Sequence, residues 1–294
     1  MKFGAMFANT LHGATPDGAA ALGRIAEENG FESIWTVEHV VVPADYASEY
    51  PYAPNGRMPG TEDAPIPDPL VWLTWVGAHT RTLRLATGIL ILPQRNPVVL
   101  AKEVATLDLF TGGRVTLGVG VGWLAEEFEA LGVPFAHRGA RTREYVQVMR
   151  KLWSQRSTSH DGRFARFTGV TSFPKPANGR SIPVWFGGES DAALRRVAAY
   201  GDGWIGFKVS PADAGPKIRR IEGLLRECGR QRSDVTLAVS PYADPIVPDD
   251  LKRYRDAGVE ELALLLRGRP KSAADIVAGL EALARDFVEP AAKL

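Results

Sequence analysis

The 294-residue sequence predicts an α/β fold, a single (β/α)8 barrel, on three observations. Short β-forming runs alternate with helical patterns along the chain. Eight such units follow one another. The strand-like runs are continuously apolar rather than alternating. The alternation implies parallel strands joined by right-handed crossovers. Continuous apolar runs belong to strands buried on both faces. Eight units close into a barrel more naturally than they extend an open doubly wound sheet, which has the same alternation.

The first run covers residues 3–8. A helical pattern over 15–29 follows, with Pro16 in its first turn and Gly30 just past its end, the usual punctuation of a helix. The second run is 33–37, and 83–92, 115–121, 183–186, 203–207, 235–240 and 261–266 supply the third to the eighth. Helical patterns lie between them at 69–79, 98–110, 141–153, 192–200, 211–226 and 248–256, and a last one covers 273–285. Two insertions break the rhythm. Residues 40–68, after the second strand, hold Pro43, Pro51, Pro54, Pro59, Pro65 and Pro67 with Tyr46, Tyr50 and Tyr52. A long stretch of this kind inside a compact domain is usually functional or disordered, and its aromatics favour an ordered loop over a pocket. Residues 157–182, before the fifth strand, read as irregular, with a turn at His160–Phe164 opening a hairpin. No linker, low-complexity tract or exact repeat divides the chain, so one domain over 1–294 is expected.

Composition is that of an ordinary globular protein, 45% hydrophobic and 23% charged. A chain of this length buries roughly 75% of its unfolded surface and needs no covalent staples. The single cysteine, Cys228, excludes an internal disulfide framework and a Cys-rich zinc site. Lys and Arg total 35 against 34 for Asp and Glu, so no net field draws the chain to nucleic acid or an anionic membrane. No apolar run approaches the roughly 20 residues of a membrane span. The N-terminal apolar stretch is brief and meets Asn9, His12 and Asp17 instead of a cleavage site. A cytoplasmic protein is expected.

Barrel chemistry sits at the C-terminal ends of the strands. The second strand ends in Val37-Glu38-His39. His39 is the candidate general acid or base, or cofactor contact, because histidine titrates near neutrality; the alternative is a structural histidine. Glu38 is positioned to bond a cofactor ring, orient His39 or cap a loop. His12, His79, His137 and His160 share no ligand spacing, and no metal site is expected. Gly88, inside the third strand, marks either a bulge near a ligand or a packing glycine. Gly118, Gly120 and Gly122 strip one face of the fourth strand, so that something flat or bulky can approach. They do not form a dinucleotide fingerprint: Trp123 stands where Gly118-x-Gly120 needs its third glycine, and the looser register at Gly120 has its acidic partner inside a helical pattern. After the fifth strand, Gly187-Gly188-Glu189-Ser190-Asp191 opens a helix. Free N–H groups there would suit a phosphate, although a plain turn uses the same residues. Lys208 can add charge to that rim. The chain has no Gly-x-Ser-x-Gly elbow and no phosphate loop of the Gly-Lys-Ser/Thr type.

Joined together, these segments are more specific. Thr87–Pro97, Lys102–Asp108, Thr111–Arg114, Gly118–Glu127, Trp185–Gly188 and Gly201–Trp204 resemble the bacterial luciferase-like monooxygenase superfamily, and within it the branch dependent on the deazaflavin coenzyme F420. The resemblance covers nearly the whole chain. It implies a (β/α)8 barrel binding a flavin or deazaflavin across its top face. It places Gly88-Ile89 at a bulge behind the tricyclic ring, often a non-prolyl cis peptide, and His39 at the ring edge. It places Val121, Gly122 and Trp123 beneath the ribityl chain, and Gly187, Gly188 and Glu189 at the phosphate. Trp123 departs from some sugar-phosphate dehydrogenases of that branch, which have glutamate there. Glu38 stands where many relatives have aspartate.

The resulting expectation is hydride transfer between coenzyme F420 and a small organic substrate, with His39 catalytic, Glu38 supporting it, and Tyr46, Tyr50, Tyr52 and Trp123 shaping an aromatic substrate pocket. The deazaflavin's acidic tail would leave past Lys208, Arg138 or Arg141. One alternative is an FMN-dependent monooxygenase fed by a separate flavin reductase; another is a non-catalytic flavin-binding protein. The resemblance also suggests a homodimer through barrel helices.

Overall fold

The structure, a computed structural model, describes residues 1–292. Its strands are β1 (Lys2–Met6), β2 (Ser33–Thr36), β3 (Arg84–Thr87), β4 (Leu90–Ile91), β5 (Val115–Gly120), β6 (Thr158–Asp161), β7 (Arg166–Val170), β8 (Val184–Gly187), β9 (Gly203–Phe207), β10 (Thr236–Tyr242) and β11 (Glu261–Leu265). All but β6 and β7 form one parallel sheet in the order β3-β2-β1-β11-β10-β9-β8-β5-β4, and β3 also pairs with β5. That last pairing closes the barrel, with β3 and β4 as two pieces of one strand position. The closed (β/α)8 barrel is therefore the one the alternation predicts. β6 and β7 are the hairpin opened by the turn in the second insertion.

Helices α1 (Pro16–Glu28), α2 (Pro69–His79), α3 (Pro97–Phe110), α4 (Ala125–Ala130), α5 (Arg138–Ser154), α6 (Asp191–Tyr200), α7 (Pro211–Glu227), α8 (Pro248–Asp256) and α9 (Ala273–Leu283) cover the barrel. Most begin where a side chain accepts the free N–H groups of the first turn. Thr15 accepts from Gly18, Asp68 from Leu70 and Val71, and Asn96 from Val98 and Val99. Three of these helices lack such a cap, α4, α5 and α8. α4, which follows Leu124, was not expected; α5 follows His137, in the left-handed region with φ 61°, and begins three residues earlier than its pattern suggests.

The third apolar run, read as one strand over 83–92, breaks between Thr87 and Leu90. The Gly88–Ile89 peptide is cis, as the resemblance implies. Leu92–Gln94 then turns as a 3-10 helix.

The lower barrel is filled by Trp35 and Trp185, whose ring centroids lie 5.5 Å apart. Gly4 and Gly203 make room for them: a Cβ on Gly4 would lie 2.6 Å from the Trp35 indole nitrogen. Buried Glu261 accepts from Ser33, from the Trp35 indole N–H at 3.1 Å and from Arg84, and so satisfies the polar groups at the strand starts. Glu27, in the last turn of α1, accepts the N–H groups of Arg81, Thr82 and Leu83, and these bonds outweigh partial burial to hold its carboxyl down at about 2. Among the described residues no helix is long and apolar enough to cross a membrane.

Candidate functional site

A cleft of about 1180 Å³ opens at the C-terminal ends of the strands. Its floor is made by the break in the third strand position. Ile89 projects between neighbouring strands that carry glycine opposite it. A Cβ on Gly120 would come within 2.5 Å of Ile89 Cδ1, and one on Gly187 within 2.7 Å of its Cγ2. A Cβ on Gly118 would collide with the Thr87 carbonyl oxygen. What approaches the bare face of β5 is therefore the chain's own bulge, not directly a ligand. Gly88 also has a packing role, since a Cβ there would press on Trp35 at 3.0 Å and Met6 at 3.2 Å.

His39 lines the cleft, and its Nδ1 lies 3.1 Å from Glu127 Oε2 on α4. Glu127 is 0% exposed, and its other oxygen accepts the Val40 N–H at 2.7 Å. A carboxylate only accepts, so the bond puts a hydrogen on Nδ1 and leaves Nε2 as the ring's other functional atom. The edge of His39 also packs against Trp123, centroids 5.8 Å apart.

Glu38 does not support His39. Its carboxylate accepts the Ile91 N–H at 2.5 Å and both Nε and Nη2 of Arg95. Arg95 in turn reaches Asp68, the cap of α2, at 2.6 Å. Burial pushes the Glu38 carboxyl up while Arg95 pulls it back, and the two carboxylates raise Arg95 against its own burial. Glu38 is thus bound into a clasp joining the end of β2, the start of α2 and the turn after β4. The residue that orients His39 is Glu127, which the sequence reading missed.

At the other end of the cleft, Gly187 and Gly188 lead into α6, with Gly188 at φ 104° and the Ser190 hydroxyl accepting from Ala193. Glu189 points away from this turn. It accepts the Phe207 N–H at 2.7 Å and the Tyr52 hydroxyl at 2.8 Å, and burial pushes its carboxyl up against those bonds. Any contact of Glu189 with a phosphate therefore falls to its backbone. Arg196, also missed from sequence, lines the cleft on α6. No carboxylate among the described residues pairs with it, and burial draws its guanidinium below the usual range. The three proposed exit cations are engaged elsewhere. Lys208 donates to the Tyr52 carbonyl oxygen, Arg138 to that of Gly122 while stacking on Phe135, and Arg141 to that of Pro134.

Val121, Gly122, Trp123, Tyr50 and Tyr52 line the cleft. Tyr46 does not; it packs behind Trp123 at 5.6 Å and carries Arg57 on its face. The 40–68 insertion is held down by carboxylates of the barrel. Glu126 accepts the Ala47 and Ser48 N–H groups, Glu127 accepts that of Val40, and Glu189 takes the Tyr52 hydroxyl. Among the described residues no three metal-ligating side chains converge.

These residues fit a flavin or deazaflavin. The floor offers apolar support without bulky side chains, the turn at Gly187-Gly188 offers close backbone approach, and Arg196 is an unanswered cation for a phosphate. The comparisons with known proteins agree with that fit. An uncharacterised protein of Mycobacterium tuberculosis H37Rv is 34% identical over 288 residues, 97% of this chain and 98% of that one. An F420-dependent glucose-6-phosphate dehydrogenase of Kineococcus radiotolerans is 31% identical over 184 residues, 61% of this chain and 49% of its own. The coenzyme F420 dependent tetrahydromethanopterin reductase of Methanopyrus kandleri superposes with a TM-score of 0.76 at 17% identity, over 98% of both chains, a likeness of fold. The luciferase-like monooxygenase model matches residues 1–286, and the chain belongs to that family.

Proposed function

We propose that the chain is an oxidoreductase that transfers a hydride between coenzyme F420 and a small organic substrate. The observation that carries this reading is His39, anchored on Nδ1 by a fully buried Glu127, in a cleft whose opposite end joins a glycine turn to Arg196, which pairs with no carboxylate among the described residues. When bound, the deazaflavin supplies a ring carbon that accepts or donates hydride. The protein's part is to position, to exclude water and to manage one proton.

Ile89 would support the ring from below, and Val121, Gly122 and Trp123 would border the ribityl chain. The backbone at Gly187, Gly188 and Glu189, with Arg196, would hold the phosphate. His39 would hydrogen-bond the ring edge or move a proton at the substrate through Nε2. Family membership and the relative named as F420-dependent support the cofactor assignment.

Oxidation of the reduced coenzyme by a panel of carbonyl compounds, followed optically without oxygen, tests the proposal. Substrate-dependent oxidation in the absence of oxygen is the expected result. A strict requirement for oxygen would assign the chain to the FMN monooxygenases, and no turnover with any cofactor would leave a binding protein.

A further inference from the structure

We infer that the side of the cleft away from the phosphate turn selects a flat, uncharged substrate carrying an aromatic ring or a conjugated carbonyl; the inference rests on the oxidoreductase reading for a cofactor on the floor. Aromatic rings form a continuous series there. Trp123 meets Tyr50 at 5.2 Å, Tyr50 meets Tyr52 at 5.5 Å, and Tyr52 meets Phe207 at 4.7 Å. Phe207 meets Tyr242 at 4.7 Å and Phe7 at 5.5 Å. The rings come from the first insertion and from the ends of β1, β5, β9 and β10, so separate parts of the chain supply the same chemistry to one wall.

Most contacts in this series are edge-on, with interplanar angles of 82° for Tyr52 and Phe207 and 66° for Tyr50 and Trp123. Such walls receive planar molecules by stacking and edge contact.

The buried charges nearby are already paired, and the others stand at the exposed rim. Glu189 is held by Tyr52 and Phe207, and Arg95 by Glu38 and Asp68. Lys208 donates to the Tyr52 carbonyl oxygen. Asp244, Arg267 and Arg269 border the cleft but are exposed, and Arg267 pairs with Asp286 at 2.6 Å. Along this wall His39 Nε2, the Trp123 indole N–H and the hydroxyls of Tyr50 and Tyr242 have no protein partner among the described residues. Burial pushes both hydroxyls above their ordinary range, so they remain neutral donors. They can meet a carbonyl or hydroxyl oxygen. The cations nearby, Lys208, Arg267 and Arg269, stand at the exposed rim, so a phosphoryl group buried against the aromatic edges and the Glu189 carboxyl would lack a counter-charge at the wall itself, an unfavourable burial of charge.

The test is calorimetric titration with 2-naphthol and with 2-naphthyl phosphate, in the presence and absence of oxidised coenzyme F420. The naphthol is expected to bind about tenfold more tightly than its phosphate, and Phe207→Ala or Tyr50→Ala to weaken it about tenfold. Tyr50→Phe, which keeps the ring and loses only the hydroxyl, should weaken binding less than Tyr50→Ala. Equal or tighter binding of the phosphate would overturn the inference. So would unchanged naphthol binding in Tyr50→Ala, a substitution on the insertion and outside the barrel strands. Failure of the coenzyme to bind registers separately and would contradict the proposed function instead.

Discussion

His39 and Glu127 lie 88 residues apart and meet at 3.1 Å. The first was legible because it follows a strand end, where barrels place reactive groups. The second was not, because a buried glutamate in an uncapped helix of six residues carries no local signal. Glu38 illustrates the converse: its position beside His39 suggested partnership, yet successive residues leave a strand end in opposite directions, and Arg95 claims its carboxylate. His39→Ala is expected to lower kcat by about 100-fold or more with an unchanged melting midpoint. Glu127→Gln keeps an acceptor for Val40 but offers His39 an N–H where it needs an acceptor. It should lower kcat with little change in KM for the coenzyme; normal steady-state kinetics in either variant would return the pair to a structural role. Arg196 sits next to Arg195, which is exposed and paired with Asp191. Sequence periodicity cannot tell which of two adjacent arginines turns to a cleft. Arg196→Gln should weaken the anionic cofactor by about tenfold without loss of stability, measurable by equilibrium titration.

At the scale of elements, legibility followed the physical signals present. Helices opened by Thr15, Asp68, Asn96, Ser190, Ser210 and Ser272 were placed to within a few residues because those side chains accept first-turn N–H groups. α4 and the first turn of α5 have no such cap and were missed, while α8, also without one, was legible from Pro248 at its first position. The break at Gly88–Ile89 lies within ten consecutive residues that read as one strand; Gly88 alone left a bulge and a packing glycine open, and the family resemblance pointed to the bulge. The fit of Ile89 between Gly120 and Gly187 gives a direct test of this floor. Gly120→Ala should push Ile89 toward the cleft and reduce cofactor affinity by about tenfold. Shortening the intruding side chain in Gly120→Ala with Ile89→Val should recover most of it, and a single variant that binds normally would remove Ile89 from the floor. The Glu27 bridge between α1 and the turn before β3 predicts a pH dependence. Its carboxyl falls from 4.5 to about 2 in the folded state, so its contribution is present above about pH 4.5 and is lost as pH falls through that window. Glu27→Gln should lower the melting midpoint at pH 7, and the difference from the parent should close by about pH 2; a difference that persists at acid pH would contradict this.

The whole molecule divides its labour by end. The N-terminal end of the barrel is closed by Trp35, Trp185, Arg84 and Glu261, residues that serve stability. The C-terminal end gathers His39, the ring series, the glycine turn and Arg196. The closed barrel was legible because buried parallel strands are written as continuous apolar runs. The cleft's wall was legible only in part, since Phe7 and Phe207 read as ordinary strand residues and Tyr242 lies beyond the seventh run as read, until the barrel brings them together. On the outside, Val71 and Trp75 of α2 and Phe110 at the end of α3 are 71%, 47% and 75% exposed. A second copy of the chain across these neighbouring helices would cover them. Sedimentation should therefore give a dimer, and Trp75→Glu with Phe110→Glu a monomer; a monomeric parent would contradict this arrangement.

The proposed function rests on a deazaflavin in the cleft. FMN shares the tricyclic ring, ribityl chain and phosphate, so the floor and the turn admit either, and the assignment depends on what the protein binds. Equilibrium titration of the cofactor-free protein with coenzyme F420 and with FMN decides it. Saturable binding of the deazaflavin, about tenfold or more tighter than FMN and weakened by Arg196→Gln, is the expected result. Tight binding of FMN with no detectable binding of the deazaflavin would contradict it.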